Sequence, residues 1–193
     1  MSFRMKGRFF FFATNNINKF NEARMILDQS RIAVGMIRVK SLEIQSESLE
    51  EIARASVMEA VEKYKLPLVV EDAGLFVEAL NDFPGPYAAY VYKTIGNEGL
   101  LKLMENAAKR KAKFKSVIAY FSPQMESPVC FEGEASGELV HEERKSTLAA
   151  GFGFDPIFKP DGCDKTFAQM SLKEKCARSH RAAAFLKFAE WYR

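Results

Sequence analysis

The chain has 193 residues, 48% of them hydrophobic and 27% charged, with a formal net charge of +3. That is enough chain to bury a real core in an ordinary globular composition, and the charge is too mild to argue for a nucleic-acid binder, though it does not oppose an anionic ligand. Cys130, Cys163 and Cys176 form no CxxC pair and suit a reducing cytoplasm, two histidines make a histidine-rich zinc site unexpected, and no apolar run approaches the roughly 20 residues that span a bilayer.

In chain order, Phe9 to Ala13 is a short aromatic-rich apolar run that reads as a buried strand; it is too short for the apolar core of a signal peptide. The polar loop "TNNINK" follows. "FNEARMILDQ" then repeats apolar positions (Phe20, Ala23, Met25, Ile26, Leu27) at roughly helical spacing. Ile32 to Val39 alternates around a glycine as a second strand. Glu47 to Tyr64 carries a helical stripe of Leu49, Ile52, Ala53, Ser56, Val57, Ala60 and Tyr64, and Ser48 with Glu51 spells a capping box.

Pro67 to Val70 reads as a third strand, and "NDFPGPY" at 81–87 as a turn-rich loop. Asn97 to Ala108 looks helical. The basic run "AKRKAK" at 108–113 reads as a solvated loop or helix end and is the best candidate for a lobe boundary. Phe114 to Phe121 and Val129 to Val140 look like longer, antiparallel strands. "AAGFGFDPIF" is irregular. A short helix from Ser171 to Ala177 carries the capping-box pair Ser171 and Glu174. The last helix starts near Ser179. The order of elements predicts a mixed α/β fold, with a site where loops leave the strand ends.

Four places could carry chemistry. The loop Thr14 to Lys19 joins a strand to a helix, so its amides, the helix N-terminus and Lys19 could hold an anion. An asparagine-rich turn with an N-cap explains the same residues more plainly, and no GxxxxGK pattern is present. Glu71 and Asp72 follow the third strand. Neighbours on a strand point to opposite faces, so at most one of them serves a given site. A buried lone carboxylate is costly, so such a group is paired, metal-bound or solvated at a strand end, with "DAG" as a turn. Glu43, otherwise a surface acid, could share a hard cation with Asp72, because magnesium takes one or two carboxylates plus phosphate oxygens and water.

The third place is "GFGFDP" at 151–156. It sets Phe152 and Phe154 beside glycines, where a ring could stack on a base and Asp155 could read its edge; aromatics packed into the core are the alternative. Lastly, "EKCARSHRAAAF" places His180 and Arg181 in the first turn of the last helix, with Lys175 one short helix earlier. Cations there oppose the helix dipole, which suggests an anion or acceptor nearby; an exposed basic turn reads nearly as well.

Taken together, "ATNNINK" with "FNEA", "EDAGL" with "FPGPYAAYV", and "GFGFDPIFKPDGCDKTFAQMSLKEK" with "SHRAAA" fall in order over residues 9–188 and resemble the inosine/xanthosine triphosphate pyrophosphatase, or Ham1-like, family. The resemblance implies one domain over 1–193, an elongated mixed β-sheet with flanking helices and two lobes around a central cleft, and a homodimer; the cysteines, the short apolar runs and the mild charge add the expectation of a cytoplasmic protein with no membrane or nucleic-acid partner. It implies magnesium-dependent hydrolysis of ITP, dITP and XTP to the monophosphate and pyrophosphate. Carried over onto this sequence, Thr14, Asn15, Asn16, Ile17, Asn18 and Lys19 match the triphosphate-holding loop. Glu43 and Asp72 match the metal ligands, with Asp72 also activating water. Ala73, Phe152, Gly153, Phe154, Asp155, Lys175, His180 and Arg181 match nucleotide contacts. Rival readings are a nucleotide-binding regulator without catalysis and a pyrophosphatase for other modified nucleotides.

Three departures stand out. Asn15 replaces a glycine of the family loop, and asparagine is among the better residues at positive φ. Ala73 replaces a Ser or Thr, keeping an amide and losing a hydroxyl. Near the lysine that bacterial members carry on the second helix stand Ser56 and Glu59. Selection against adenine would follow from a donor aimed at O6, which adenine leaves unpaired. Arg181 or a backbone amide is the candidate donor.

Overall fold

The aromatic run folds as expected. In this computed structural model, which describes residues 8–39, 44–144 and 151–193, it is strand β1 (Arg8–Ala13). Phe10 and Phe12 are fully buried, as alternation on a strand requires. Helix α1 (Ile17–Asp28) starts at Asn16, whose side chain accepts the Asn18 and Lys19 N–H groups. Strand β2 (Ile32–Ile37) is two residues shorter than expected and runs parallel to β1. Helix α2 (Leu49–Tyr64) is capped by Ser48, which accepts the Glu51 N–H. The predicted capping box is only half formed, because the Glu51 carboxylate bonds Ser46 Oγ at 2.7 Å and Ser46 Oγ takes the Ser48 N–H.

Strand β3 (Leu68–Val77) is followed by the two-residue β4 (Pro84–Gly85) and by helices α3 (Ala88–Thr94) and α4 (Gly96–Leu103). Strands β5 (Lys111–Phe121), β6 (Val129–Leu139) and β7 (Phe158–Pro160) come next. Helices α5 (Leu172–Cys176) and α6 (His180–Trp191) close the chain. The predicted mixed α/β fold is present: one sheet in the order β2-β1-β3-β5-β6-β7, with β4 on β3. Its first three strands are parallel and the rest antiparallel. The Ser171–Glu174 capping box forms in full.

The third strand does not stop at Val70, so Glu71 and Asp72 lie in its interior and "DAG" is no turn. β5 supplies an antiparallel partner for every residue from Leu68 to Val77, which is enough to extend the ladder through both carboxylates. The basic run is likewise no lobe boundary. Its second half opens β5, where Lys113 pairs with Glu134 at 3.0 Å while Ala112 faces the core. The helix expected over 97–108 ends at Leu103, and α3 lies in a stretch given no element from the sequence.

The core divides into three groups. α1 and α6 cover one face of the sheet with Phe10, Phe12, Val69, Ile118, Phe185 and Phe188. α2 covers the other with Leu49, Ala53, Val57, Val70, Val117 and Ala119. Around the far ends of β3, β5 and β6, with α3, α4 and β7, a third group gathers Leu75, Leu100, Phe114, Phe158 and Phe167. Among the described residues no helix is long and apolar enough to cross a membrane, and the three cysteines are free.

Candidate active site

β1 and β3 pair only at Phe11–Leu68 and Phe12–Val69, and β4 joins β3 only from Leu75. Between them, from Val70 to Gly74, no described strand pairs with that side of β3. The loop leaving β1 stands over this gap. Thr14 N–H bonds Ile37 C=O at 3.0 Å, and Asn16 N–H bonds Thr14 Oγ1 at 3.1 Å. Asn15 does not take positive φ; its side-chain amide instead donates to Val39 C=O, tying the loop to the end of β2. No glycine is needed there. Ile17 is half exposed at the start of α1. Asn16 Oδ1 already engages the Asn18 and Lys19 amides, and Lys19, in the first turn of α1 rather than in the loop, offers its Nζ as the cation here. It reaches into the gap and donates to Glu71 C=O at 3.4 Å.

Alternation sends the two carboxylates to opposite faces. Asp72 shares its face with Val70 and, across the ladder, with Val117, which places it on the α2 side. Lys115 lies on this side too, its Nζ 4.7 Å from the centre of the Phe76 ring. Ser56, one of the two residues near the lysine position the resemblance implied on the second helix, is buried on α2. Glu71 faces α1 and α6, and its side chain is fully buried. Ser116 Oγ donates to Glu71 Oε1, Arg181 Nε lies 2.9 Å from the same oxygen, and Lys19 Nζ lies 3.3 Å from Oε2.

A run of charges continues from there. Arg181 Nη1 donates to Glu22 Oε2 at 2.6 Å, Lys175 Nζ to Glu22 Oε1 at 2.7 Å, and Lys175 Nζ to Asp155 Oδ2 at 2.6 Å. Asp155 Oδ2 also accepts the Phe152 N–H at 2.8 Å, which closes the glycine-flanked turn. Gly153 takes φ +60° within it, and Asn97 Nδ2 bonds its carbonyl at 3.3 Å. The half-buried Phe152 ring lies beneath the cations, 4.5 Å from Lys175 Nζ and 5.6 Å from the Arg181 guanidinium carbon. Phe154 points the other way, into the core, edge-on to Tyr92.

Lys175, His180 and Arg181 are all buried, so the reading of "SHR" as an exposed basic turn does not hold. Ser179 caps α6 by accepting the Ala182 N–H. Gly133 explains how this first turn sits so deep. A Cβ there would lie 2.1 Å from His180 C=O and 2.4 Å from the Ala184 amide, so only glycine lets β6 receive the helix backbone.

Burial alone would raise the Glu22 and Glu71 carboxyls. The Arg181 guanidinium beside both, with Lys175 at Glu22 and Lys19 at Glu71, overcomes it and holds both below the usual carboxylate range. At Asp155 burial wins, and its carboxyl is raised despite Lys175. Burial drives His180 well below its ordinary value, helped by the Arg181 charge, so its imidazole is neutral. It stacks on Phe114 at 4.7 Å, and its Nδ1 has no hydrogen-bond partner among the described residues.

The structure thus brings together Lys19, Phe152, Asp155, Lys175 and Arg181, with His180 beside them. It sets Asp72 on the opposite face of β3 and Phe154 in the core. Glu43 lies outside the described residues. Glu22, which sequence reasoning did not single out as a site residue, links Lys175 to Arg181. Its signal was an acid one turn after Lys19 among the buried positions Ala23, Ile26 and Leu27.

A family model described as the Ham1 family matches residues 10–191. A dITP/XTP pyrophosphatase of Methanopyrus kandleri is 50% identical over 182 residues, 94% of this chain and 95% of that protein. One from Thermococcus kodakarensis is 45% identical over 93% of this chain and 95% of its own length. Among solved structures, the Staphylococcus aureus Ham1 protein matches with a TM-score of 0.80 at 32% identity, over 95% of this chain and 97% of that one. A HAM1 protein from Coxiella burnetii matches with a TM-score of 0.81 at 27% identity, over 95% and 98%.

Proposed function

The chain belongs to the Ham1 family, and from that premise we propose that it hydrolyses the non-standard purine nucleoside triphosphates ITP, dITP and XTP to the monophosphate and pyrophosphate. Water attacks the α-phosphorus, the bond from that phosphorus to the bridging α–β oxygen breaks, and pyrophosphate leaves. The observation that carries the reading is the gap in β3. Lys19 reaches into it from the first turn of α1, Asp72 lies on the same stretch of strand with its side chain on the opposite face, and Glu71 meets Arg181, which Glu22 joins to Lys175 and Asp155.

Lys19 binds the phosphates and offsets their charge. Asp72 orients the attacking water and takes its proton. Phe152 stacks on the base, and Arg181 donates to O6 of hypoxanthine or xanthine; adenine carries an amine there and leaves that donor unpaired. Asp155 Oδ2 accepts both Lys175 Nζ and the Phe152 N–H, so its part is to shape the turn.

Among the described residues no group of three or more His, Cys, Asp or Glu could hold a metal ion. Asp72 offers only hard carboxylate oxygens. That donor set fits magnesium, which takes few protein ligands and completes its shell with phosphate oxygens and water. Asp72 and Glu43 would hold it, and when bound it supplies charge neutralisation on the phosphates. The protein is further read as a homodimer, which light scattering against the monomer mass of 21.8 kDa checks.

The deciding experiment is pyrophosphate release from ITP, dITP, XTP, ATP and GTP, with magnesium and with EDTA, by wild type and Asp72→Asn. Magnesium-dependent turnover confined to the first three, and at least 100-fold lower in the variant, is the expected result. Equal rates on all five nucleotides would overturn the substrate assignment. Undiminished turnover by the variant would overturn the role of Asp72.

A further inference from the structure

Six buried or half-buried charges form one unbranched line: Asp155, Lys175, Glu22, Arg181, Glu71, Lys19. Signs alternate along it, three anions against three cations. Each bridging glutamate spends one oxygen on each neighbour. Glu22 gives Oε1 to Lys175 and Oε2 to Arg181, and Glu71 gives Oε1 to Arg181 and Oε2 to Lys19. One end closes the Phe152–Asp155 turn and the other lies in the first turn of α1.

The line is not uniform. From Asp155 to Glu71 every side chain is no more than 4% exposed and the contacts span 2.6 to 2.9 Å. Lys19 is 21% exposed, and its 3.3 Å contact with Glu71 is the longest of the five. It is therefore the member that an incoming anion can draw away. When it leaves, the Glu71 carboxylate keeps, among the described residues, Arg181 and Ser116 as partners, at a position where its side chain is fully buried. Its pull on Arg181 rises, and the guanidinium is fixed more firmly where it overhangs Phe152.

On the reading that this site binds a nucleotide, with Lys19 at the phosphates and Arg181 at the base, we infer that Glu71 is a positioning residue that couples the two halves, so that phosphate capture at Lys19 readies Arg181 for the base. Glu71 touches no part of the substrate. Its single carboxylate is the link through which occupancy at one end is felt at the other. Thermodynamic reciprocity then requires the base to strengthen phosphate binding by the same factor.

The test splits the substrate. Inosine supplies the base without phosphates and inorganic pyrophosphate supplies phosphates without a base. The inosine Kd is measured by calorimetry with and without saturating pyrophosphate, in the full chain. In wild type, pyrophosphate should tighten inosine about 5-fold or more, within the usual range of coupling between sites. In Glu71→Gln the factor should fall to about one while each ligand still binds alone. Because that variant removes a buried charge and risks misfolding, Ser116→Ala serves beside it. It keeps all six charges, frees one side of Glu71, and should give a factor between the two.

A wild-type factor of one, or an unchanged factor in both variants, would overturn the coupling while leaving the nucleotide site standing. Failure of wild type to bind inosine or pyrophosphate at all, together with no turnover of ITP, would overturn the nucleotide reading and this inference with it.

Discussion

His180 is 3% exposed, stacked on Phe114, and kept neutral by burial and the neighbouring Arg181 charge. In the unfolded chain it takes a proton near its ordinary value of 6.5. Between that value and its depressed folded one, the unfolded state binds more protons than the folded. Its contribution to stability is thus intact above pH 6.5 and lost as pH falls toward the folded value, at up to about 1.4 kcal/mol per pH unit. His180→Phe keeps the ring stack and removes the proton site, so its stability should vary less between about pH 7.5 and about pH 5.5 than that of wild type. Urea midpoints across that range check it. At this scale the sequence was legible as residue types but only partly as environments. Lys175, His180 and Arg181 stood out as candidates, yet the same letters fitted an exposed turn. Their burial depends on Glu22 and Glu71, more than 100 positions away along the chain, and no local spacing carries that information.

At the scale of elements, α6 is placed by a residue it does not contain. Gly133 on β6 admits the helix backbone at a distance that any side chain would block. Gly133→Ala should cost about 3 kcal/mol, at the upper end of overpacking because the obstructing atoms are backbone. It should also lower activity more than stability alone explains, since the displaced first turn carries His180 and Arg181. Thermal melts and turnover measured on the same samples separate the two effects. Local signals did well where they were self-contained: the aromatic β1, the stripe of α2 and the Ser171–Glu174 box all formed. They failed where a partner strand decided the outcome. The run "LVVEDAGL" ends its apolar stretch at Val70, and only the ladder with β5 carries the strand on to Val77. The second half of the basic 108–113 segment became strand for the same reason, Lys111 and Lys113 alternating outward against Ala112 and Phe114 inward.

For the whole molecule, the mixed architecture was legible because helices and strands alternate early and long strands follow one another later. The strand order was not, because nothing in "RFFFFA" announces that β1 lies between β2 and β3 and leaves β3 after two pairs. That early parting has a consequence in isotope exchange. Glu71 turns its carbonyl into the gap, so Ala73, two residues on, turns its own backbone groups the same way. A central strand thereby holds amides placed like those of a sheet edge. In deuterated buffer they should label orders of magnitude sooner than Val69 or Val70 on the same strand, and slow when pyrophosphate occupies the gap. A peptide covering this stretch would then report a filled site by its mass alone, with no turnover required.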